Sequence, residues 1–401
     1  AADDGTSIVL IHGIGSLYAD GTNVTDRADE YGAILNDYLH LENDAAETQL
    51  LEQAIESGES KAYAQVAEVV RTFADELTFG KSNLEGEEDN YAVSLGYSVD
   101  RVGLLHQTAD ATADNFEDKA LWQGLTITTS ENADRNTFEA LITDASDGLA
   151  GNLVLKGNTQ AAENVLTISG ETNTYTGKTW VTAGANIAFG ANSAFGSTEA
   201  LRVDSGSTVD FGTYDQTVGG LFALGDNALQ SDEGSFITVT EDAVIRGANE
   251  KLIGNITFEG NAEINNAVGL GTGTVTLAGN GSQLEINGAS GDAGGTFANT
   301  LVGGENTSVQ IIGSDIALGT DQLENYEGSF NLIKSELDLS IKPAESDETV
   351  LGNVITTDVN STLSASLGDG NKNFIFAEGS KVAGTLTISN GAFNLSDERN
   401  L

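Results

Sequence analysis

Phe236-Ile237-Thr238-Val239-Thr240 and Thr274-Val275-Thr276-Leu277 are the stretches that decide the fold. In each, an apolar side chain takes every second position and threonine fills the gaps. That period of two belongs to a β-strand with one buried face. The same texture returns at Asn152-Leu-Val-Leu-Lys156, Val165-Leu-Thr-Ile-Ser169, Ser207-Thr-Val-Asp-Phe211, Ser308-Val-Gln-Ile-Ile312, Glu336-Leu-Asp-Leu339 and Gly384-Thr-Leu-Thr-Ile388. β-Branched residues are frequent, and Gly, Asn, Asp and Ser bound the runs as turn formers.

These runs recur at roughly 8–12 residues, a spacing that a sandwich or barrel also produces. Three features favour a solenoid. The pattern runs from about Gly151 to the end without a helical interruption. The units are alike in style but irregular in length. Each is too small to bury its own apolar face, and stacking them creates one continuous core. The single proline, Pro343, fits an architecture in which nearly every residue can donate to a ladder. The fold class expected is mainly β, a right-handed parallel β-helix with an N-terminal helical insertion or a small α+β subdomain. Residues 151–401 form the β-helix, and residues 1–150 form N-terminal coils with a helical excursion at about 26–80.

The excursion rests on three stripes of helical period. Tyr31, Ile34, Leu35, Tyr38 and Leu41 make the first, Leu50, Leu51, Ala54 and Ile55 the second, and Tyr63, Val66, Val70, Phe73 and Leu77 the third. Around them, residues 6–14, 91–95 and 125–128 read as strands.

The 401 residues hold 61 Asp+Glu against 17 Lys+Arg, a formal net charge of -44. Such a chain repels phosphate, so no nucleic-acid partner is expected. With no cysteine there is no disulfide frame, thiolate metal site or cysteine nucleophile. At 39% hydrophobic residues, the chain has enough apolar material for an ordered core. No apolar run is long enough to span a membrane as a helix. The start at Ala1-Ala2-Asp3 and the absence of methionine point to a processed or excised chain and to export.

Residues 173–196 read Asn-Thr-Tyr-Thr-Gly-Lys-Thr-Trp-Val-Thr-Ala-Gly-Ala-Asn-Ile-Ala-Phe-Gly-Ala-Asn-Ser-Ala-Phe-Gly. This resembles the autotransporter-associated strand repeat of Gram-negative passenger domains, with Asn173, Tyr175, Gly177, Thr179, Val181 and Gly184 on the motif positions. The flanks Leu201–Phe211 and Gln216–Leu221 extend the resemblance to about residues 170–225. Trp180 departs from it, standing where a smaller residue is usual. The resemblance implies a passenger domain displayed at the Gram-negative cell surface or secreted, held to the outer membrane by a translocator outside this chain. It also implies that the repeat assists folding rather than recognition.

Candidate chemistry is sparse. His12-Gly13 after a strand looks like an oxyanion loop, but no Gly-x-Ser-x-Gly elbow accompanies it, Gly288-Ala-Ser290-Gly-Asp292 failing at its last position. Asp204-Ser205-Gly206 sits inside the repeat flank without the context of a serine nucleophile. Glu336 and Asp338 put two carboxylates on one strand face, a pattern that glycan lyases and hydrolases use, and one that a solvated face also produces. Calcium is conceivable where acids and amides cluster, as in Leu367-Gly-Asp369-Gly-Asn-Lys-Asn373, which reads first as a turn. Trp122, Tyr175, Trp180 and Tyr214 are aromatics able to stack on sugars, with packing favoured for Tyr175 and Trp180. No catalytic, cofactor or metal set is expected.

The function expected is adhesion: cell–cell aggregation, biofilm formation or host attachment. The partner is a second copy of the chain or a host protein or glycan. A β-helix polysaccharide lyase or hydrolase is the alternative, as is a stalk that displays an N-terminal binding head.

Overall fold

The computed structural model describes residues 150–157, 165–170, 173–288, 295–342, 348–368, 373–390 and 392–393, and, nearer the start, residues 6–12, 16–18, 66–72, 98–104, 119–122, 124–129, 137–138 and 141–144. Among the described residues the fold is a parallel β-solenoid of about nine turns with almost no helix. It divides into two compact units, Ala1–Asp210 and Phe211–Leu401.

In the first unit, Ser16–Tyr18, Leu125–Thr128, Leu153–Lys156, Thr179–Thr182 and Ala200–Val203 lie side by side in one sheet. Thr137–Phe138, Val165–Ile168, Asn186–Phe189 and Thr208–Asp210 make a second. Their pairs are parallel. Thr6–His12 and Ser98–Leu104 depart from this plan, both running antiparallel to Val66–Thr72 between them, while Ser98–Leu104 pairs parallel with Leu141–Asp144 on its other edge.

Val66–Thr72 corrects part of the expected helical excursion. The third helical stripe passes through a segment that is a strand. Val-Ala-Glu-Val-Val-Arg-Thr is rich in β-branched residues, and pairing on both edges outweighs its partial 3.6-residue period. The other two stripes, and residues 91–95, lie outside the described residues. Thr6–His12 and Leu125–Thr128 are strands, as their sequences predict.

The second unit stacks its coils more regularly. One sheet holds Gly220–Leu224, Ala243–Arg246, Ala262–Ile264, Gln283–Asn287, Ser308–Ile312, Ser329–Ile333, Ile355–Thr357 and Lys381–Val382. Another holds Gln216–Val218, Phe236–Val239, Asn255–Phe258, Thr274–Leu277, Thr300–Gly303 and Asn325–Tyr326. A third holds Gly295–Thr296, Asp315–Gly319, Glu336–Ile341, Thr362–Leu367 and Thr385–Ser389. Register stacks like on like: Ile237 on Ile256 on Val275 on Leu301, and Leu337 on Leu363. All these side chains are buried, so each coil gains its apolar contacts from the coils above and below it.

The irregular unit length seen in the sequence has a structural counterpart. Buried asparagines reach from coil to coil across 20 residues at Asn249–Leu229 and 27 at Asn353–Tyr326. Extra residues go into turns, where the strand ladder leaves backbone groups that these amides satisfy.

Candidate functional site

The six residues on the repeat motif come together in one coil, and each meets a physical need. Asn173, 4% exposed, accepts from the Ile142 N–H at 2.7 Å and donates to the Ala194 carbonyl at 2.7 Å. It joins the chain before it to the chain after it. Tyr175 is fully buried, with its hydroxyl 2.6 Å from Thr179 Oγ1, which lies 2.9 Å from Thr198 Oγ1. Thr198 closes the chain by donating to the Gly177 carbonyl at 2.6 Å. Burial pushes the Tyr175 phenol well above its ordinary range, so it stays neutral. Val181 points into the core. Gly177 admits no side chain, because a Cβ there would stand 2.1 Å from the Gly151 carbonyl oxygen. Gly184 turns the chain with φ +77°, a left-handed conformation that glycine adopts without penalty.

Trp180, on the outer side of the same strand, makes a polar surface cluster. Its indole N–H donates to Asp204 Oδ2 at 3.0 Å, Thr182 Oγ1 donates to the same oxygen at 2.8 Å, and Arg202 Nε donates to Oδ1 at 2.8 Å. The guanidinium of Arg202 stands 5.7 Å from the indole centroid, and the Lys119 ammonium 5.9 Å. Partial burial works to raise the Asp204 pKa, but the donors Arg202, Thr182 and Trp180 outweigh it and hold the carboxyl below its ordinary range. This accounts for Asp204 in the Asp204-Ser205-Gly206 triplet, whose glycine closes a turn at φ +83°. Trp122 is corrected as a sugar-stacking candidate, being 1% exposed, and Tyr175 at 0% exposure is packed, the role favoured for it from the sequence. Trp180 and Tyr214 are half-buried. Ser290 and residues 369–372 lie outside the described residues, as does the side chain of His12.

Glu336 and Asp338 alternate with buried Leu337 and Leu339 and point outward on one face. Sequence reading missed a third carboxylate: Asp315 is the register partner of Glu336 on the adjacent coil. The signal for it was the likeness of Asp315-Ile-Ala-Leu318 to Glu336-Leu-Asp-Leu339, one coil apart. Partial burial raises the Glu336 pKa first, with repulsion from Asp338 and Asp315 adding to it. On the other side the columns continue as Thr362, Ser364 and Ser366, then Thr385, Thr387 and Ser389.

The outer face of the long sheet carries a second column in register: Glu263, Glu285, Gln310, Asn331, Thr356 and Lys381. Neighbouring rungs interact through Arg246 with Glu263 at 2.6 Å, Gln283 with Gln310 at 2.8 Å, and Thr356 with Asn331 at 3.0 Å.

A cleft of about 910 Å³ opens elsewhere in the second unit, lined in part by Glu305, Glu324, Tyr326, Glu327, Lys342 and Glu378. Glu336 and Asp338 do not line it. Among the described residues, no group of three or more His, Cys, Asp or Glu is placed to hold a metal ion, and no helix is long and apolar enough to cross a membrane. The outer faces offer hydroxyls, amides and carboxylates repeated at the strand spacing.

No protein-family model matches the chain, and no curated protein and no solved structure matches it.

Proposed function

We propose that this chain is the passenger domain of an autotransporter-like surface protein and acts as an adhesin. In this reading the coil is right-handed, the prevailing hand for connections between parallel strands. The chain is exported and displayed at the surface of a Gram-negative bacterium. Binding is spread along the stacked coils, each rung adding a weak contact, so that affinity comes from multivalency. The observation that carries the reading is the register of the outer columns, which align carboxylates and then hydroxyls on successive coils. The partner is a second copy on a neighbouring cell, or a host protein or glycan. A net charge of -44 opposes contact between copies, so self-association requires salt screening or bridging divalent cations such as calcium.

Display of the full chain on a non-aggregating bacterium tests this. The expected result is faster settling or firmer attachment than in cells lacking the chain. Clumping that survives calcium chelation unchanged eliminates the cation bridge.

The glutamate-lined cleft supports a second reading, a β-helix polysaccharide lyase or hydrolase. Turnover of an acidic or neutral polysaccharide by the purified chain would establish it. Loss of that turnover in Glu327→Gln would place the chemistry in the cleft.

A further inference from the structure

The cleft of the second unit opens where a strand ladder stops. The sheet that starts at Gln216–Val218 ends at Asn325–Tyr326, and the next coil puts Glu348–Val350 into a separate ladder with Asn373–Ile375. On the other two faces the same two coils pair without a break, Ser308–Ile312 with Ser329–Ile333 and Asp315–Gly319 with Glu336–Ile341. Residues on both sides of the step, among them Tyr326 and Asn353, line the cleft, whose volume of about 910 Å³ suits a small molecule.

Asn353 takes over part of the missing ladder. It is 3% exposed, and its Nδ2 donates to the Tyr326 carbonyl at 2.7 Å and to the Gly328 carbonyl at 2.9 Å. Asn299 does the same for the carbonyls of Leu270 and Gly273, at 2.8 and 2.9 Å. The Oδ1 of Asn299 is sealed in the interior without a partner. The Oδ1 of Asn353 also accepts no hydrogen bond within the chain, but it is not sealed, and the cleft is the opening that Asn353 lines. A largely buried acceptor therefore faces the cleft without a donor.

The rest of the lining is apolar and anionic. Leu323, Ile341 and Leu351 contribute apolar surface. Glu305, Glu324, Glu327 and Glu378 contribute four carboxylates, all on exposed residues. One of the four is met from within the chain, by Lys342 Nζ at 3.3 Å from Glu324. Glu305, Glu327 and Glu378 form no ion pair with a described residue.

This composition selects a ligand. A metal ion needs its oxygens converged on one point, and among the described residues no group of three acids is so placed. The positive charge that suits the cleft is thus spread along a molecule. Donors are scarce among the lining side chains. The Tyr326 hydroxyl is engaged with the Ser329 carbonyl at 3.1 Å, Asn353 with its two carbonyls, and Lys342 with Glu324. The hydroxyls of Thr320 and Ser329 remain. A peptide or a glycan brings acceptors as well as donors and would find few partners for them. An alkylammonium chain brings donors only.

We infer that the cleft binds a linear aliphatic polyamine. Its ammonium groups meet Glu305, Glu327 and Glu378, one N–H meets Asn353 Oδ1, and its methylene chains lie on Leu323, Ile341 and Leu351.

Calorimetric titration of the purified full chain with spermine tests this. A chain of charge -44 gathers polycations loosely over its whole surface, so the readout is one saturable site. Spermine should bind roughly tenfold more tightly than 1,4-diaminobutane, at about two- to fivefold for each added exposed ion pair. Spermidine should bind more tightly than hexaamminecobalt(III), which carries the same charge on one compact ion. Glu327→Gln and Glu378→Gln should each weaken the site about two- to fivefold. Adding Glu305→Gln to both should remove it and leave the melting curve unchanged. Glu233→Gln, Glu241→Gln and Glu250→Gln together remove the same charge from exposed positions outside the cleft and should leave the site intact. Many weak sites in place of one overturn the inference, as does a site that survives the cleft triple variant or weakens equally in the outer one. Preference for hexaamminecobalt(III) or for trilysine over spermidine overturns it too, the latter making the cleft a peptide site. Adhesion is read from settling of displaying cells without polyamine, so the two readings fail or stand separately.

Discussion

The coil that carries Asn173, Tyr175 and Thr179 and the coil that carries Leu337 and Leu339 are held together in different ways. The first buries a chain of polar groups, from the Asn173 amide through Tyr175 and Thr179 to Thr198. The second buries an aliphatic ladder: Leu337 lies between Ile316 and Leu363, and Leu339 between Leu318 and Ala365. It keeps its polarity outside. The difference follows strand length. Glu336–Ile341 and Thr362–Leu367 are six residues each, so the ladder itself satisfies most of their backbone. Thr179–Thr182 is four residues, and its coil needs side chains to pair what the shorter ladder leaves open.

The comparison predicts different injuries. Leu339→Ala should be the most damaging, at about 4 kcal/mol, because a well-packed stack cannot collapse around the lost volume. Denaturant midpoints read this, and a cost under 1 kcal/mol would mean that the aliphatic ladder is not what holds that coil.

Asn173→Leu comes next, at roughly 3 kcal/mol, because it strands the Ile142 N–H and the Ala194 carbonyl in a buried place. If instead it proved neutral, water would have to reach that turn, and the contrast between the coils would shrink.

Thr179→Val preserves shape and removes one hydroxyl from the buried chain. A loss of about 1–2 kcal/mol is expected, as the Tyr175 phenol is left without its partner at 2.6 Å.

Glu336→Gln should have the smallest effect, and it should depend on pH. The folded-state pKa of Glu336 lies above 4.5. The stability linked to this group is therefore full below that value and declines as pH rises through the raised one. Thermal melts from acidic to neutral pH should show the wild-type chain losing ground to the glutamine variant as pH rises. The opposite slope would mean that Asp315 and Asp338 do not crowd this carboxyl.

Much of the solenoid was legible because its signal is local. Alternation in Val165–Ile168, Phe236–Val239 and Thr385–Ser389 reads directly as strand, and each of these segments is one. Val66–Thr72 misled because three valines at mixed spacing satisfy a helical stripe and a strand together, and only its pairing decides. The surface columns were illegible for a different reason. Thr217, Thr238, Thr257 and Thr276 become one feature only when register is known, and register depends on irregular turns between the strands. Burial of Trp122 was hidden likewise, since an aromatic residue in turn-rich sequence looks the same whether it faces the core or solvent, whereas the repeat motif marked Tyr175 for packing.

The central claim is that binding runs along the stacked coils rather than residing in a head near the N-terminus. Settling and attachment of cells displaying the full chain, compared with cells displaying the chain without residues 26–60, a deletion that spares the paired strand Val66–Thr72, tests it most directly. The account predicts that the shortened chain still settles and attaches. Loss of both, with the shortened chain displayed at equal density, would contradict it and assign the binding to the deleted segment.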